Sequence, residues 1–258
     1  MSGCPRFWSL LSGGKDSVCT AHVLASRGEL AGCVFLDTGI ACTDTRPFVE
    51  RFCSEMGWPL RIYTAPKTYE EIVSRWGFPS GPGGHRWAFG WLKERPLRIA
   101  WQDLLETEVF ASGARRLESA RRGRTMRKGF RHNYGIRIEN PIQEWTTPEV
   151  LAYNRESGLP TSPAYRSIGM SGDCLCGAFS QPGEANAIRR TYPEVAARIR
   201  ALELRIAEEG EFRYPKDRWG HIRRFTGGFV SLEGRTTLEQ FVCGGECRVP
   251  EPTLGAEA

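Results

Sequence analysis

The sequence predicts an α/β protein: a parallel, doubly wound sheet followed by a helical and irregular C-terminal lobe. Three observations predict it. Short apolar runs alternate with amphipathic stretches through the first half of the chain. A Ser-Gly-Gly turn joins the first apolar run directly to a helical stretch. Past Gly210 the composition shifts to Gly, Arg and aromatics, and the alternation stops. Strand–helix alternation places helices on both faces of a parallel sheet and ligands at its C-terminal strand ends.

Phe7 to Leu11 is apolar and of strand length. Ser12-Gly13-Gly14 follows, and Lys15 to Ser26 carries Val18, Ala21, Val23, Leu24 and Ala25 as a helix face. A strand, a Gly-rich turn and a helix in that order make a phosphate cradle. The glycines admit an anion to the backbone N–H groups, and the helix N-terminus adds partial positive charge. Ser12 and Ser17 bring hydroxyls and Lys15 a point charge. Ala31 to Leu36 is a second strand ending at Asp37-Thr38-Gly39. Thr43 to Met56 is a helix capped by Asp44 or Thr43, with Phe48, Val49 and Phe52 on one face. Leu60 to Tyr63, Val109 to Ser112 and Ile136 to Ile138 supply further strands. Pro182 to Glu209 is helical and charged, interrupted near Pro193. These readings divide the chain into a nucleotide-binding unit (1–180), a C-terminal lobe (181–250) and a disordered tail (251–258).

Composition bounds the function. With 258 residues, 40% apolar and 25% charged, the chain is an ordinary globular protein. No apolar run approaches membrane-spanning length, and the first residues lack the apolar core of a signal peptide, so no membrane partner and a cytoplasmic location are expected. Nine cysteines, an odd count in a chain read as non-secreted, argue for thiols and metal ligands over a disulfide framework.

Ser12-Gly13-Gly14-Lys15-Asp16-Ser17 is not the G-x-x-x-x-G-K-[ST] loop. It resembles the pyrophosphate loop of the adenine-nucleotide α-hydrolase superfamily, whose members cleave ATP between the α and β phosphates. Further segments resemble one branch, the PAPS/APS reductase family. Leu36-Asp37-Thr38-Gly39 is similar to its second nucleotide motif. Leu92-Lys93-Glu94-Arg95-Pro96-Leu97 is similar to its K-x-x-P-L helix start, and Ser112-Gly113-Ala114-Arg115-Arg116-Leu117-Glu118-Ser119-Ala120-Arg121-Arg122 to its G-x-R-x-x-E-S-x-x-R element. Asn140-Pro141-Ile142 through Trp145, Val150 and Tyr153, then Leu159-Pro160 and Pro163-Ala164-Tyr165, continue it in order. The resemblance covers roughly residues 7 to 180. It implies the fold of that superfamily and ATP or an adenylyl-sulfate as ligand. Lys15, Asp16 and Asp37 are then the catalytic residues, with Mg²⁺ bridging Asp16 or Asp37 and the leaving pyrophosphate. Ser12, Gly13, Gly14, Ser17, Thr38, Gly39 and Gly113 complete the nucleotide site. Arg115, Glu118 and Arg122 form a second clamp if a helix starts near Ala114.

The departures narrow the function. Iron–sulfur APS reductases carry a Cys-Cys pair before the K-x-x-P-L helix, where this chain has Arg86-Trp87-Ala88-Phe89-Gly90-Trp91. Their E-C-G-x-H tail is matched only by Glu246-Cys247-Arg248-Val249-Pro250. Cys174-Leu175-Cys176 stands where their later pair stands. A relocated ligand set of Cys174, Cys176, Cys243 and Cys247 follows, holding a 4Fe–4S cluster, with zinc as the alternative metal. Cys4, Cys19, Cys33, Cys42 and Cys53 read as core or helix-face thiols. Cys42, just past Asp37-Thr38-Gly39, could instead carry a persulfide.

Charge is concentrated between Arg115 and Arg137. There Arg121, Arg124, Arg127, Lys128 and Arg131 stand out, interleaved with Phe130, His132 and Tyr134. Such a run offers phosphate contacts and stacking surfaces. The resulting expectation is an ATP-pyrophosphatase that adenylates a nucleic acid, tRNA or DNA, and lets sulfur displace AMP. The sulfur donor would be a cysteine desulfurase or free sulfide. The alternatives are an APS/PAPS reductase producing sulfite and a non-catalytic nucleotide-binding module.

Overall fold

The computed structural model describes residues 7–104, 109–118, 126, 130–133, 135–181, 183–212 and 216–220. A six-stranded sheet runs β3-β2-β1-β4-β6-β5. Its strands are β1 (Phe7–Leu10), β2 (Leu30–Asp37), β3 (Leu60–Thr64), β4 (Val109–Ala111), β5 (Phe130–Asn133) and β6 (Ile136–Glu139). All pairs are parallel except β5 with β6. The five strands read from the sequence are parallel as expected, and β5 adds an antiparallel edge that the reading did not include. The basic stretch after Arg115 ends in a hairpin, in which the backbone of Arg131 pairs with Ile138 and Gly135 makes the turn at a φ of 84°.

Helices cover both faces. α1 (Lys15–Ser26) and α2 (Thr45–Met56) cover one, burying Val18, Ala21, Phe48, Val49 and Phe52 against Leu11, Cys33 and Phe35. α5 (Arg95–Asp103) lies on the other, with Leu97 and Ala100 against Val34, Leu36, Phe110, Ile136 and Ile138. The middle of β2 is buried at every position, Gly32 to Leu36, because both faces of a parallel sheet are covered. α6 (Thr147–Glu156) packs on α1 and starts at a capping box between Thr146 and Glu149.

The remaining helices are α3 (Tyr69–Trp76), α4 (Gly81–Phe89), α7 (Pro163–Ile168), α8 (Glu184–Thr191) and α9 (Pro193–Glu209). The sequence reading of 182–209 as two helical runs broken at Pro193 matches α8 and α9. One apolar core joins Tyr69, Ile72, Leu92 and Leu175 to Ile188, Val195, Ile199 and Ile206. Packing is thus continuous across position 180. Among the described residues no helix is long and apolar enough to cross a membrane. The lobe beyond 220 and the tail at 251–258 lie outside the described residues.

Candidate active site

The strand order reverses at β1: β2 and β3 lie to one side of it and β4 to the other. Open α/β sheets leave a crevice at such a switch point, past the C-terminal strand ends. The loops after β1, β2 and β4 meet there, so residues far apart in sequence share one site.

The first loop is Ser12–Ser17. Gly13 sits at a φ of 80°, a conformation that suits glycine. Gly14 is the N-cap of α1, and no side chain caps that helix, which leaves its first turn for an anion. The Ser17 hydroxyl donates to the Gly14 carbonyl at 2.9 Å and accepts from the Ser12 backbone N–H at 3.2 Å. The turn is therefore closed by its own side chains. Lys15 donates to Asp16 at 2.6 Å, with its ammonium 5.6 Å from the Tyr165 ring centroid.

Gly113, after β4, packs directly on this loop. A Cβ there would lie 2.6 Å from the Asp16 carbonyl carbon and 2.9 Å from the Ser17 nitrogen. Next to it, the Arg115 side chain turns inward and is only 1% exposed. Its Nε donates to Asp16 at 2.7 Å, Nη1 to the Trp145 carbonyl at 3.1 Å and Nη2 to the Thr147 hydroxyl at 3.0 Å. Arg115 thus fixes Asp16 and ties the β4 loop to the start of α6. The expected helix at Ala114 is a short 3₁₀ turn, Arg116–Glu118, and the Glu118 carboxylate accepts from the Arg115 backbone N–H at 3.0 Å. Arg122, Arg121, Arg124, Arg127 and Lys128 lie outside the described residues.

Asp37 ends β2 on the other flank. Its carboxylate accepts from the Gly39 N–H at 2.9 Å and from exposed Arg46 at 3.3 Å. The Gly39 carbonyl accepts from Arg198 of α9 at 2.6 Å, which pins this loop to the C-terminal helices.

The segment 171–176, which the sequence reading marked only for its cysteine pair, links these parts. A Cβ on Gly14 would stand 3.0 Å from the Ser171 Cβ, so the segment lies on the phosphate loop. Thr38 donates its hydroxyl to the Asp173 carbonyl at 2.8 Å, Cys42 N–H to Gly172 at 2.7 Å, and Leu175 N–H to Ile40 at 2.7 Å. Tyr69 and Trp219 donate to the carbonyls of Cys176 and Leu175 at 2.9 and 2.7 Å. Lys93 forms an ion pair with Asp173. Burial works against both charges, but each stabilises the other, so the Lys93 pKa lies above its ordinary range and that of Asp173 below. The K-x-x-P-L motif was the only sequence signal for Lys93. Asp173 had only the turn preference of an Asp beside the cysteine pair.

The thiols of Cys174 and Cys176 lie close enough to perturb one another: their interaction favours the Cys176 thiolate and holds the Cys174 proton, and the Lys93 charge favours the thiolate of both. Two sulfurs converging from one turn, with an ammonium beside them, suit a thiophilic metal or cluster. They are two donors of the expected four. Cys243 and Cys247 lie outside the described residues, and among those described no three His, Cys, Asp or Glu side chains gather as a metal site. Cys19, Cys33, Cys42 and Cys53 are buried. Burial, then the Asp44 charge, pushes the Cys42 thiol up to about 12, which opposes the persulfide role considered for it.

Comparison with known proteins agrees with this architecture. The model of the phosphoadenosine phosphosulfate reductase domain matches residues 6–175. An uncharacterized protein of Methanocaldococcus jannaschii is 28% identical over 223 residues, 83% of this chain and 45% of that protein. A phosphoadenosine 5'-phosphosulfate reductase of Aliivibrio salmonicida is 28% identical over 142 residues, 53% of this chain and 55% of the enzyme. The chain therefore spans about half the length of these curated relatives (45% and 55%). Among solved structures, phosphoadenylyl-sulfate reductase from Candida auris, a phosphate complex, superposes with a TM-score of 0.48 at 18% identity, covering 64% of this chain and 78% of that one.

Proposed function

The chain belongs to the phosphoadenosine phosphosulfate reductase family, and from that premise we propose that it is an ATP-pyrophosphatase that activates a nucleic acid for sulfur transfer. The observation that carries the reading is the 171–176 segment, which rests on the phosphate loop at Gly14 and carries the Cys174–Cys176 pair. A nucleotide-activating loop and a sulfur-handling loop are then two ends of one short backbone.

The β and γ phosphates lie over Gly13, Gly14 and the first turn of α1, with Lys15 swinging from Asp16 to the polyphosphate. Asp37 would hold the Mg²⁺ in preference to Asp16. Asp16 is held by both Lys15 and buried Arg115, whereas among the described residues exposed Arg46 is the side-chain cation paired with Asp37. An acceptor oxygen attacks the α-phosphorus, the bond from phosphorus to the bridging oxygen breaks, and pyrophosphate leaves with charge that Lys15 neutralises; a Mg²⁺ held at Asp37 would supply further neutralising charge. A sulfur nucleophile from the donor then displaces AMP from the acceptor. Cys174 and Cys176, joined by Cys243 and Cys247, would hold a 4Fe–4S cluster, or zinc. Four thiolates close such a site; with Cys247 off the cluster, an open iron would supply a soft Lewis-acidic position for sulfur. Acceptor phosphates would contact the basic run that includes Arg121, Arg124, Arg127, Lys128 and Arg131.

The reductase reading is favoured by the match to the Aliivibrio enzyme and requires Cys247 free to attack a sulfonucleotide. The two readings part on product. Incubation with ATP, Mg²⁺, sulfide and total tRNA or DNA should release pyrophosphate only when the nucleic acid is present. Sulfite from APS or PAPS, lost in Cys247→Ser, with no such pyrophosphate release, would overturn the proposal.

A further inference from the structure

A groove outside the crevice combines tryptophan faces with arginine charge. α4, a π-helical turn at Gly90–Glu94 and α5 run on as one helix: Phe89, Gly90, Glu94 and Arg95 all keep right-handed helical dihedrals. A π turn inside an α-helix often marks a functional site, because the extra residue re-aims the side chains beyond it. Here it brings Arg86, Trp87 and Trp91 into line with Glu94, Arg95 and Arg98 along a pocket of about 380 Å³. Arg86, Arg95 and Arg98 are exposed.

The Arg95 guanidinium carbon lies over the Trp91 ring, 3.1 Å from its centroid. Trp76 supports that stack with its ring centroid 5.4 Å from Trp91, and Lys67 adds an ammonium 5.1 Å from the same ring. A stacked guanidinium–indole pair presents a planar, cationic platform, which is the surface on which unpaired bases are held. The flanking arginines suit phosphate oxygens. Glu94 is the acid among these six and suits a donor edge such as an exocyclic amine. The opposite side of the same π turn sends Lys93 to Asp173, beside Cys174. The π turn thus joins the groove to the sulfur-handling loop.

We propose that this groove binds single-stranded nucleic acid, one unpaired base lying on the Arg95–Trp91 stack and the neighbouring phosphates on Arg86 and Arg98. The inference rests on the nucleic-acid acceptor of the preceding section and locates where that acceptor is gripped. Three arginines around a volume of about 380 Å³ exceed what an apolar peptide anchor uses, and the pocket is of nucleotide size.

The test is fluorescence anisotropy of the full chain with labelled oligo-uridylate and oligo-thymidylate, a duplex of matched length, and a labelled poly-glutamate peptide, across a salt series. Single strands should bind better than the duplex. Arg95→Ala should weaken them about tenfold, the scale of a lost stacking platform. Arg86→Gln and Arg98→Gln should each lower the salt slope by about 1. Trp91→Leu should also weaken binding, and unchanged ATP binding in all four variants shows that they are folded. Wild-type-like oligonucleotide binding in the Arg95, Arg86 and Arg98 variants overturns the groove while leaving the acceptor reading intact. Absence of any nucleic-acid binding at low salt overturns the acceptor reading as well. Binding of the acidic peptide alone would assign the groove to a protein partner and overturn the proposal.

Discussion

Replacing Gly113 with alanine places one methyl group against the backbone at the start of α1. The new Cβ would lie 2.6 Å from the Asp16 carbonyl carbon, 2.7 Å from its oxygen and 2.9 Å from the Ser17 nitrogen. Unstrained carbon contacts sit at about 3.5–4.0 Å, so the two loops must separate by roughly 1 Å. Every atom on the α1 side is main chain, so no rotamer change relieves the contact. Overpacking of this kind costs about 1–3 kcal/mol. The displaced atoms also carry the phosphate-binding N–H groups and the Asp16 that Arg115 holds. Gly113→Ala should therefore lower the melting temperature by about 2–4 °C per kcal/mol lost. It should weaken ATP binding by tenfold or more, since misplacing a site by about 1 Å costs on the order of a hundredfold in rate. Gly28→Ala is the comparison. Gly28 sits at a φ of 69° with nothing within 4 Å of its Cβ position, so its substitution brings backbone strain of about 1 kcal/mol and no change at the site. Thermal melts and competitive ATP titration of both variants decide the matter. Wild-type ATP affinity in Gly113→Ala refutes the reasoning.

Arg115→Lys keeps the charge but loses the fork that reaches Asp16, Trp145 and Thr147 together. It should destabilise the fold by about 3 kcal/mol and weaken ATP binding, and an unchanged urea midpoint would contradict that role. Burial raises the Glu184 carboxyl from its ordinary value of 4.5 to about 7. Its folded pKa is the higher one, so the native state binds more protons between pH 4.5 and 7 and stability falls as pH rises through that window. Glu184→Gln should then gain up to about 3 kcal/mol at pH 8 and nothing at pH 4, and equal gains at both, by urea denaturation, would exclude the titration as cause. Thr146→Ala removes the capping box of α6 and should cost about 1 kcal/mol, and an unshifted denaturation midpoint would show that the box contributes nothing.

The phosphate loop and the strands around it were legible because their signals are local. The Ser-Gly-Gly turn, the apolar runs and the face made by Phe48, Val49 and Phe52 each need only adjacent residues. The observed α1, Lys15–Ser26, has the bounds read from the sequence. Non-local facts were not legible. Arg115 looks like a nucleotide contact in a G-x-R-x-x-E-S element, and its partners Trp145 and Thr147 become visible only when α6 packs on α1. The tryptophan groove was read as a stretch notable for missing cysteines. Its residues align on one face because a π turn shifts the helical period, and no 3.6-residue pattern reveals that. Arg131 falls in a run dense in charge, a composition that hides the antiparallel edge strand to which it belongs.

The 171–176 segment has a thermodynamic consequence. It leans on Gly14 at one end, carries Cys174 and Cys176 at the other, and is bonded in between to Thr38, Ile40 and Cys42. So short a span has no slack in which to absorb a displacement. A ligand that shifts Ser171 must change the free energy of whatever the cysteines hold, and by reciprocity the occupant of the cysteines changes nucleotide affinity by the same factor. If the cysteines hold a metal as proposed, nucleotide titrations of metal-loaded and metal-stripped protein should differ, and the ratio of their dissociation constants equals the ratio by which nucleotide shifts the metal's.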